Sequence, residues 1–176
     1  MARLYTIGHS TRPLEDLLAA LQAHAIQTLV DIRAFPMSRR LPHFNRDSLE
    51  QSLRAAGLQY VWMKSLGGYR KKIREDSPNI ALRNPSFRNY ADYMLTAEFE
   101  SAMADLIAFS QASPTAYMCA ERVYFRCHRM LLSDWLVARG HEVMHIDASG
   151  PAKAHKLTAE ARMIEGELIY SGDRLF

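Results

Sequence analysis

The chain has 176 residues, of which 48% are hydrophobic and 23% charged, with a formal net charge of +3. This balance predicts one globular domain over residues 1–176, because a chain of that length can bury most of its apolar surface. No apolar run approaches the roughly 18–20 residues that a membrane-spanning helix needs, and the first residues form no apolar signal core. We therefore expect no membrane association and a cytoplasmic location, where the two cysteines are free thiols.

The first half of the chain alternates strand patterns with amphipathic helices. Short apolar runs predict strands over residues 4–7, 28–32 and 58–63. Leucines at i, i+3, i+4 and i+7 after Pro13 predict the first helix. A second helix is predicted to begin near Asn45 or Asp47, with Asp47 and Glu50 spaced as a capping box, and to end at Gly57.

The second half continues this alternation. Apolar periodicity predicts helices over residues 87–94, 99–107 and 130–140, and strands over residues 115–119 and 142–146. The tail predicts a small helical stretch near residues 157–161 and then a hairpin over residues 162–170. Strands that alternate with helices predict an α/β fold: a mainly parallel five-stranded sheet with helices on both faces and a small C-terminal hairpin.

Polar or backbone-permissive residues directly follow four of the five predicted strands. They are His9 and Ser10, Asp31 and Arg33, Gly67 and Gly68, and Cys119 and Glu121. The carboxyl ends of parallel strands meet at one edge of a sheet, and ligands bind in the crevice there. The sequence therefore predicts an active or binding site at this edge.

Positive charge is concentrated between Arg33 and Arg74. This segment holds ten lysines and arginines against Asp47 and Glu50, a net charge of +8. Such a field favours an anionic partner, and a solvated basic face explains the same composition equally well. Within the segment, Arg33, Ser38 and Arg39 are candidates for binding an anion, since guanidinium groups bind phosphate bidentately. Glycines at 67 and 68 would let backbone N–H groups approach it.

Both cysteines lie in one predicted strand-to-helix turn, Cys119 through Arg129. At a strand end, near a helix N-terminus and several arginines, a Cys119 thiolate would be stabilised, which predicts a low pKa for Cys119 and a nucleophilic role. Glu121, His128 or His9 would accept its proton. The alternative is a small buried hydrophobic residue that packs at the end of a strand.

Two carboxylates are expected at the same edge. Asp31 and Glu121 could divide acid and base roles, as in cleavage of a glycosidic or N-glycosidic bond. The alternative for Asp31 is an ion pair with Arg33 or Arg129. Cys119, Cys127, His128 and His9 also have the ligand types of a thiophilic metal site. However, adjacent residues such as Cys127 and His128 point in different directions on a helix, so we expect no metal ligands.

Five short motifs follow one another in a characteristic order. They are Thr6-Ile-Gly-His9-Ser10, Asp31-Ile-Arg33 with Pro36 and Ser38, Leu66-Gly67-Gly68, Cys119-Ala-Glu121 and Cys127-His128-Arg129. Over essentially the whole chain they resemble the DUF488 family of small cytosolic α/β proteins, which has no settled activity. The apolar Val123-Tyr124-Phe125 departs from the polar residues of many members. The resemblance implies the fold and a shared polar constellation, and it leaves the function open.

These patterns favour an enzyme that acts by hydrolysis or group transfer on a small anionic, nucleotide- or nucleobase-like substrate. The predicted catalytic residues are His9, Asp31, Cys119, Glu121 and His128. The predicted substrate-binding residues are Ser10, Arg33, Ser38, Arg39, Gly67, Gly68, Cys127 and Arg129. Two alternatives stay open: a non-catalytic nucleic-acid-binding module that uses the basic face of residues 33–74, and a metal or thiol redox protein. The sequence requires no cofactor and does not determine the oligomeric state.

Overall fold

The computed structural model describes residues 1–147 and 150–172. Their central sheet has six strands in the order β3-β2-β4-β1-β5-β6. The strands are β1 (Arg3–Gly8), β2 (Thr28–Asp31), β3 (Gln59–Trp62), β4 (Thr115–Cys119), β5 (Glu142–His145) and β6 (Lys153–Ala154). The first five run parallel, as predicted, and β6 pairs with β5 in the antiparallel direction. β6 has no signal in the sequence, because two residues cannot show a strand pattern.

Five helices connect the strands and cover the sheet. They are α1 (Leu14–Ala23), α2 (Arg46–Ala55), α3 (Pro85–Tyr93), α4 (Ala97–Ala112) and α5 (Arg129–Ala138). The predicted capping box is wrong: Asn45 is the N-cap residue of α2, and Asp47 lies in the first turn. The small helix predicted near residues 157–161 is also wrong, because a turn closed by Ala161 N–H and the Thr158 carbonyl leads directly into the next strand.

The predicted C-terminal hairpin is confirmed. It consists of β7 (Ala161–Ile164) and β8 (Glu167–Tyr170), paired in the antiparallel direction. Leu168 and Tyr170 are buried in the same core cluster as α4 and α5, and the Tyr170 carbonyl accepts a hydrogen bond from Ala81 N–H. The hairpin therefore packs on the body of the fold rather than standing apart from it.

Side chains of β4 alternate between the two faces of the sheet, and this places the first cysteine. Ala116 and Met118 join the core under α1 and α2. Tyr117 and Cys119 join the core under α3, α4 and α5. All five residues of β4 are buried, as expected of a central strand between two helical layers. Cys119 therefore lies at the carboxyl end of β4 on the face that α5 covers.

Within the described residues, no helix combines the length and the apolar character that crossing a membrane requires.

Candidate active site

The two cysteines come together at the carboxyl edge of the sheet. Cys119 is the last residue of β4, and Cys127 lies in extended backbone two residues before α5 begins. Their side chains are 3% and 7% exposed, and both line one groove of about 390 Å³. The turn between β4 and α5 therefore brings the two thiols of the chain into a single site.

A buried arginine binds both thiols. The Arg129 side chain is 1% exposed, and its Nε donates to Cys119 Sγ over 3.1 Å. Its Nη1 donates to Thr6 Oγ1 over 2.9 Å, and its Nη2 donates to the backbone carbonyls of Glu121 and Arg122. The Arg129 backbone N–H, at the start of α5, donates to Cys127 Sγ over 3.5 Å.

Arg129 needs an anion, since a buried charge is costly unless it is paired. Across residues 1–147 and 150–172, no carboxylate bonds to it, and its charge-assisted contacts go to sulfur and to neutral oxygens. Burial lowers the pKa of Arg129, but the thiolate charge that Cys119 and Cys127 share outweighs burial and raises it. The two thiols therefore hold the counter-charge of the guanidinium.

The low thiol pKa belongs to Cys127. The neighbouring Cys119 thiol lowers the pKa of the Cys127 thiol well below its ordinary value, against the effect of burial, and His128 and the Arg129 charge lower it further. Burial, and then the Cys127 thiolate, raise the pKa of Cys119. The Cys119 thiol donates weakly to the Glu121 carbonyl over 3.8 Å, as a protonated thiol does. The predicted low pKa of Cys119 is therefore wrong.

His128 contacts the Cys127 thiol. Its Nδ1 lies 3.5 Å from Cys127 Sγ, and its Nε2 lies 3.2 Å from the Ile32 carbonyl. A carbonyl only accepts, so Nε2 carries a proton, and Nδ1 faces the sulfur, where it can exchange a proton with the thiol. We expected the two side chains to diverge because both were placed on a helix. They converge because α5 begins only at Arg129 and the Cys127 backbone is extended.

Two glycines permit this close packing. A Cβ on Gly68 would lie 2.5 Å from His128 Nδ1, so only glycine lets the loop after β3 pass over the imidazole. A Cβ on Gly8 would overlap the Glu121 carbonyl, which crosses the end of β1 to reach Arg129. Gly67 packs against Ala34 in the same way, with a Cβ predicted 2.9 Å from the Ala34 Cα. These glycines therefore permit close approach, and anion binding by the backbone N–H groups of Gly67 and Gly68 stays a prediction.

His9, Asp31 and Arg33 form a buried network beside the thiols. Arg33 donates from Nε and Nη2 to the Asp31 carboxylate over 2.9 and 2.6 Å, and from Nη1 to His9 Nε2 over 3.3 Å. The remaining Nη2 proton reaches the Phe44 carbonyl over 2.8 Å, and Tyr60 donates to Asp31 Oδ2 over 2.6 Å. Arg33 and Tyr60 therefore occupy the Asp31 carboxylate. This is the ion pair with Arg33 that the sequence offered as the alternative to an acid or base role.

His9 is held as a neutral ring. Its Nδ1 bonds to the Ser10 carbonyl over 2.7 Å, so Nε2 is the acceptor of the Arg33 N–H. Burial is the main cause that lowers the pKa of His9 to about 4, with the Arg33 charge acting in the same direction. Ser10, at a φ of 52°, continues the backbone into the next loop, and its N–H donates to the Ala120 carbonyl.

The groove brings six of the predicted residues together. Cys119, Cys127, His128, Glu121, Gly68 and Arg33 line it directly. Glu121 is exposed, and its Oε1 accepts a hydrogen bond from Val123 N–H over 3.3 Å. Arg129, His9 and Asp31 are buried and do not line the groove. Ser38 and Arg39 do not line this groove: Ser38 Oγ accepts from Leu41 N–H, and Arg39 is exposed.

Other lining residues had no sequence signal as site residues. Phe35, Ser86, Phe87 and Arg126 lie on the groove with Tyr69, and the Phe35 and Tyr69 rings are 70% and 75% exposed. Phe35 follows β2 by four residues and Phe87 belongs to α3, so only the tertiary fold brings them together. Thr6 was missed as well. It lies on β1 two residues before Gly8, and its Oγ1 accepts a hydrogen bond from Arg129.

The basic segment is partly neutralised. Arg33 is buried against Asp31, and Arg54, Lys72 and Arg74 have acidic partners within the segment or just after it. Arg46 stacks on the Trp62 ring at 4.4 Å, and Arg70 stacks on Tyr93 at 3.7 Å. The net charge of +8 therefore does not form one open cationic face.

Nothing in the described residues groups three or more His, Cys, Asp or Glu side chains for a metal ion. Searches of curated proteins and of solved structures returned no significant match. A family model described as "Domain of unknown function DUF488" matches residues 13–136, well over half of the chain. The match runs from α1 into α5 and includes Asp31, Arg33, both cysteines and Arg129. The chain therefore belongs to the DUF488 family.

Proposed function

We propose that this protein is a thiol-dependent enzyme that acts by hydrolysis or group transfer on a small anionic, nucleotide- or nucleobase-like substrate. The observation that carries the proposal is the position of Cys127 Sγ on the groove. It lies 3.5 Å from His128 Nδ1 and accepts the Arg129 backbone N–H at the start of α5. A proton acceptor, a buried cation and a helix N-terminus are the three features that activate cysteine nucleophiles. The nucleophile is therefore Cys127, in place of Cys119.

In the proposed reaction, His128 carries the proton of the Cys127 thiol to the leaving group. His128 Nδ1 takes the proton of Cys127, and the thiolate attacks the electrophilic centre of the substrate. The bond to the leaving group breaks, and that group departs with its electron pair and the proton from His128. Water, or a second acceptor in a transfer reaction, then gives a proton to His128, attacks the intermediate and releases Cys127 as thiolate. Asp31 takes no part, because its oxygens are engaged by Arg33 and Tyr60.

The groove has a cation and aromatic rings for the substrate. Arg126 is exposed and lines the groove. Four of the five Arg33 N–H donors are used by Asp31, His9 and Phe44, which leaves one on Nη1 for a ligand. The exposed rings of Phe35 and Tyr69 lie 6.2 Å apart between centroids, and such faces stack on nucleobases. Charge and stacking together favour a nucleotide- or nucleobase-like anion.

Alkylation with iodoacetamide across pH, followed by peptide mapping, tests the nucleophile. We expect Cys127 to react first, with a pH midpoint well below the ordinary value of about 8.5. Replacing His128 with asparagine should slow the reaction at neutral pH. Faster labelling of Cys119, or labelling of both thiols only after unfolding, would contradict the proposal.

A thermal-shift screen of nucleoside monophosphates, free bases and inorganic phosphate tests the substrate class. We expect stabilisation by a nucleotide or an anionic base, and a loss of affinity of about tenfold in Arg126→Ala, since a charge-assisted hydrogen bond contributes about 1.5–3 kcal/mol. Arg39→Ala is the matched control, because Arg39 is exposed outside the groove. Equal losses in the two variants would show that the groove does not bind the anion.

A further inference from the structure

We infer that Cys119 and Cys127 form a working dithiol: Cys127 attacks a small disulfide, and Cys119 resolves the mixed disulfide to leave an intramolecular one. This thiol–disulfide exchange rests on the proposed role of Cys127 as nucleophile and does not depend on the nucleotide-like substrate. It uses a feature that hydrolysis or group transfer leaves without a purpose, namely a second thiol that lines the same groove and bonds to the same arginine as the first.

The geometry gives the two thiols different roles. Cys127 Sγ contacts a proton acceptor, His128 Nδ1, and a backbone N–H at the start of α5, which suits an attacking thiolate. Cys119 Sγ donates to the Glu121 carbonyl, an acceptor that favours the protonated thiol, and it accepts the Arg129 Nε–H. Cys119 is also the more buried thiol, at 3% against 7% exposed. An incoming disulfide therefore meets Cys127 first.

Both steps balance with a small organic disulfide as the oxidant. The Cys127 thiolate attacks one sulfur of the disulfide, an S–S bond forms to Cys127, and the other half leaves as a thiolate. Cys119 gives its proton to that leaving thiolate or to His128, and it attacks Cys127 Sγ. The second half then leaves as a thiolate and takes up a proton. Two electrons pass from the protein to the disulfide, which becomes two free thiols.

The buried charge of Arg129 favours the reduced form of the dithiol. In the reduced protein its buried guanidinium is balanced by the thiolate charge that Cys119 and Cys127 share. A disulfide carries no charge, so oxidation leaves that guanidinium without an anion in a buried place, which is unfavourable. A dithiol whose reduced form is stabilised in this way makes an oxidising disulfide that is readily reduced.

Treatment with 2-hydroxyethyl disulfide, followed by intact-mass spectrometry, tests the inference. We expect the wild-type protein to release two equivalents of 2-mercaptoethanol and to carry no adduct. Cys119→Ser should keep a stable adduct on Cys127, and Cys127→Ser should react at least tenfold more slowly. Serine at 119 can still accept the Arg129 N–H, and Cys119→Ala is the second variant if that protein is poorly soluble.

The outcomes separate this inference from the proposed function. If the wild-type protein keeps the adduct as long as Cys119→Ser does, Cys119 does not resolve it, and the inference is wrong while Cys127 stays a nucleophile. If iodoacetamide labels Cys127 but the disulfide never reacts, the exchange activity alone is overturned. If neither reagent labels Cys127 in the folded protein, the proposed nucleophile fails as well. A disulfide form that melts at a higher temperature than the dithiol would overturn the role given to Arg129.

Discussion

Arg129 connects the stability of this protein to the reactivity of its thiols. Its guanidinium bonds to Thr6 on β1, to Cys119 on β4 and to the carbonyls of the turn between β4 and α5. The side chain is almost completely buried, so each of these bonds forms away from water. One residue therefore holds three parts of the carboxyl edge together and provides the positive charge that favours a thiolate.

Replacing Arg129 with methionine removes that charge and keeps much of the volume. We expect the pKa of the Cys127 thiol to rise toward its ordinary value, because the positive charge beside it is gone. Breaking a buried ion pair on one side costs about 3–5 kcal/mol of unfolding free energy. The ultraviolet absorbance of the thiolate, followed across pH, measures the first effect, and urea denaturation measures the second. Arg129→Lys is the control that keeps the charge, and an unchanged thiol titration in the methionine variant would refute the electrostatic account.

Gly68→Ala tests the placement of His128. The added Cβ would lie 2.5 Å from His128 Nδ1, so the ring must move away from Cys127. We expect alkylation of Cys127 at neutral pH to slow by about a hundredfold, the lower end of the range for a general-base contribution. Ser86→Ala, at the same groove, is the control. Normal alkylation in Gly68→Ala would mean that His128 does not assist the thiol.

At the scale of secondary structure, the helices differ in how their N-termini are satisfied. Asn84 Oδ1 accepts hydrogen bonds from Ser86 and Phe87 N–H over 2.9 and 3.3 Å and so caps α3. Asn45, at the start of α2, instead uses its Oδ1 to accept from Ser38 N–H over 2.6 Å. The same residue type therefore caps one helix and fastens a loop at the other.

Asn84→Ala should lower the free energy of unfolding by about 1 kcal/mol, the usual cost of losing an N-cap. Asn84→Asp, which keeps an acceptor oxygen and places a negative charge at the helix N-terminus, should retain wild-type stability. Urea denaturation of the three proteins in parallel decides the question. Equal stability of the alanine and wild-type proteins would mean that water replaces the cap at no cost.

Across the whole molecule, a second buried polar cluster lies away from the groove. Asp134 accepts from His155 Nε2 over 2.8 Å, and His155 Nδ1 meets His145 Nε2 over 2.9 Å. Tyr170 donates to the other Asp134 oxygen over 2.9 Å, which ties the C-terminal hairpin to α5. Tyr124 stacks on His145 with ring centroids 3.6 Å apart. This chain of contacts holds His145 neutral inside the fold.

Two neutral histidines predict acid lability. Burial is the largest cause that lowers the pKa of His9 to about 4 and that of His145 to about 3, from an ordinary value of 6.5. Below pH 6.5 the unfolded chain binds protons that the folded protein does not. The free energy of unfolding should therefore fall as the pH drops from about 6.5 toward 4, by at most about 1.4 kcal/mol per pH unit for each histidine.

Urea denaturation at several pH values between 7.5 and 4.5 measures this slope. His145→Gln removes one titrating ring while its amide can still bond to His155, so its slope should be shallower than that of the wild-type protein. His24→Gln is the control, because His24 is half-buried at the end of α1, outside this cluster. Parallel slopes in all three proteins would exclude His145 as a cause.

Binding of nucleic acid through residues 33–74 stays a prediction. Such binding should weaken steeply with salt, with a log–log slope of several units. Removing two phosphate contacts with Arg39→Ala and Arg40→Ala, both exposed, should reduce that slope by about two. Filter binding of a single-stranded oligonucleotide at increasing salt tests this, and a flat response would eliminate a phosphate-binding role for the segment.

The sequence by itself determined the fold class, the five parallel strands, the hairpin and the edge of the sheet where the groove lies. These follow from local patterns: apolar alternation defines the strands, and parallel strands bring their carboxyl ends together. It also indicated the ion pair of Asp31 with Arg33 as one alternative, because the two residues are neighbours at a strand end.

Only the tertiary structure decided which thiol is acidic. Cys119 and Cys127 both have arginines within three residues in the sequence. Their difference depends on where α5 begins, on the direction of the His128 ring and on the side chain of Arg129 reaching from α5 back to β1. A pKa is set by distances between groups far apart in the chain and by burial, and neither quantity is a local property of the sequence.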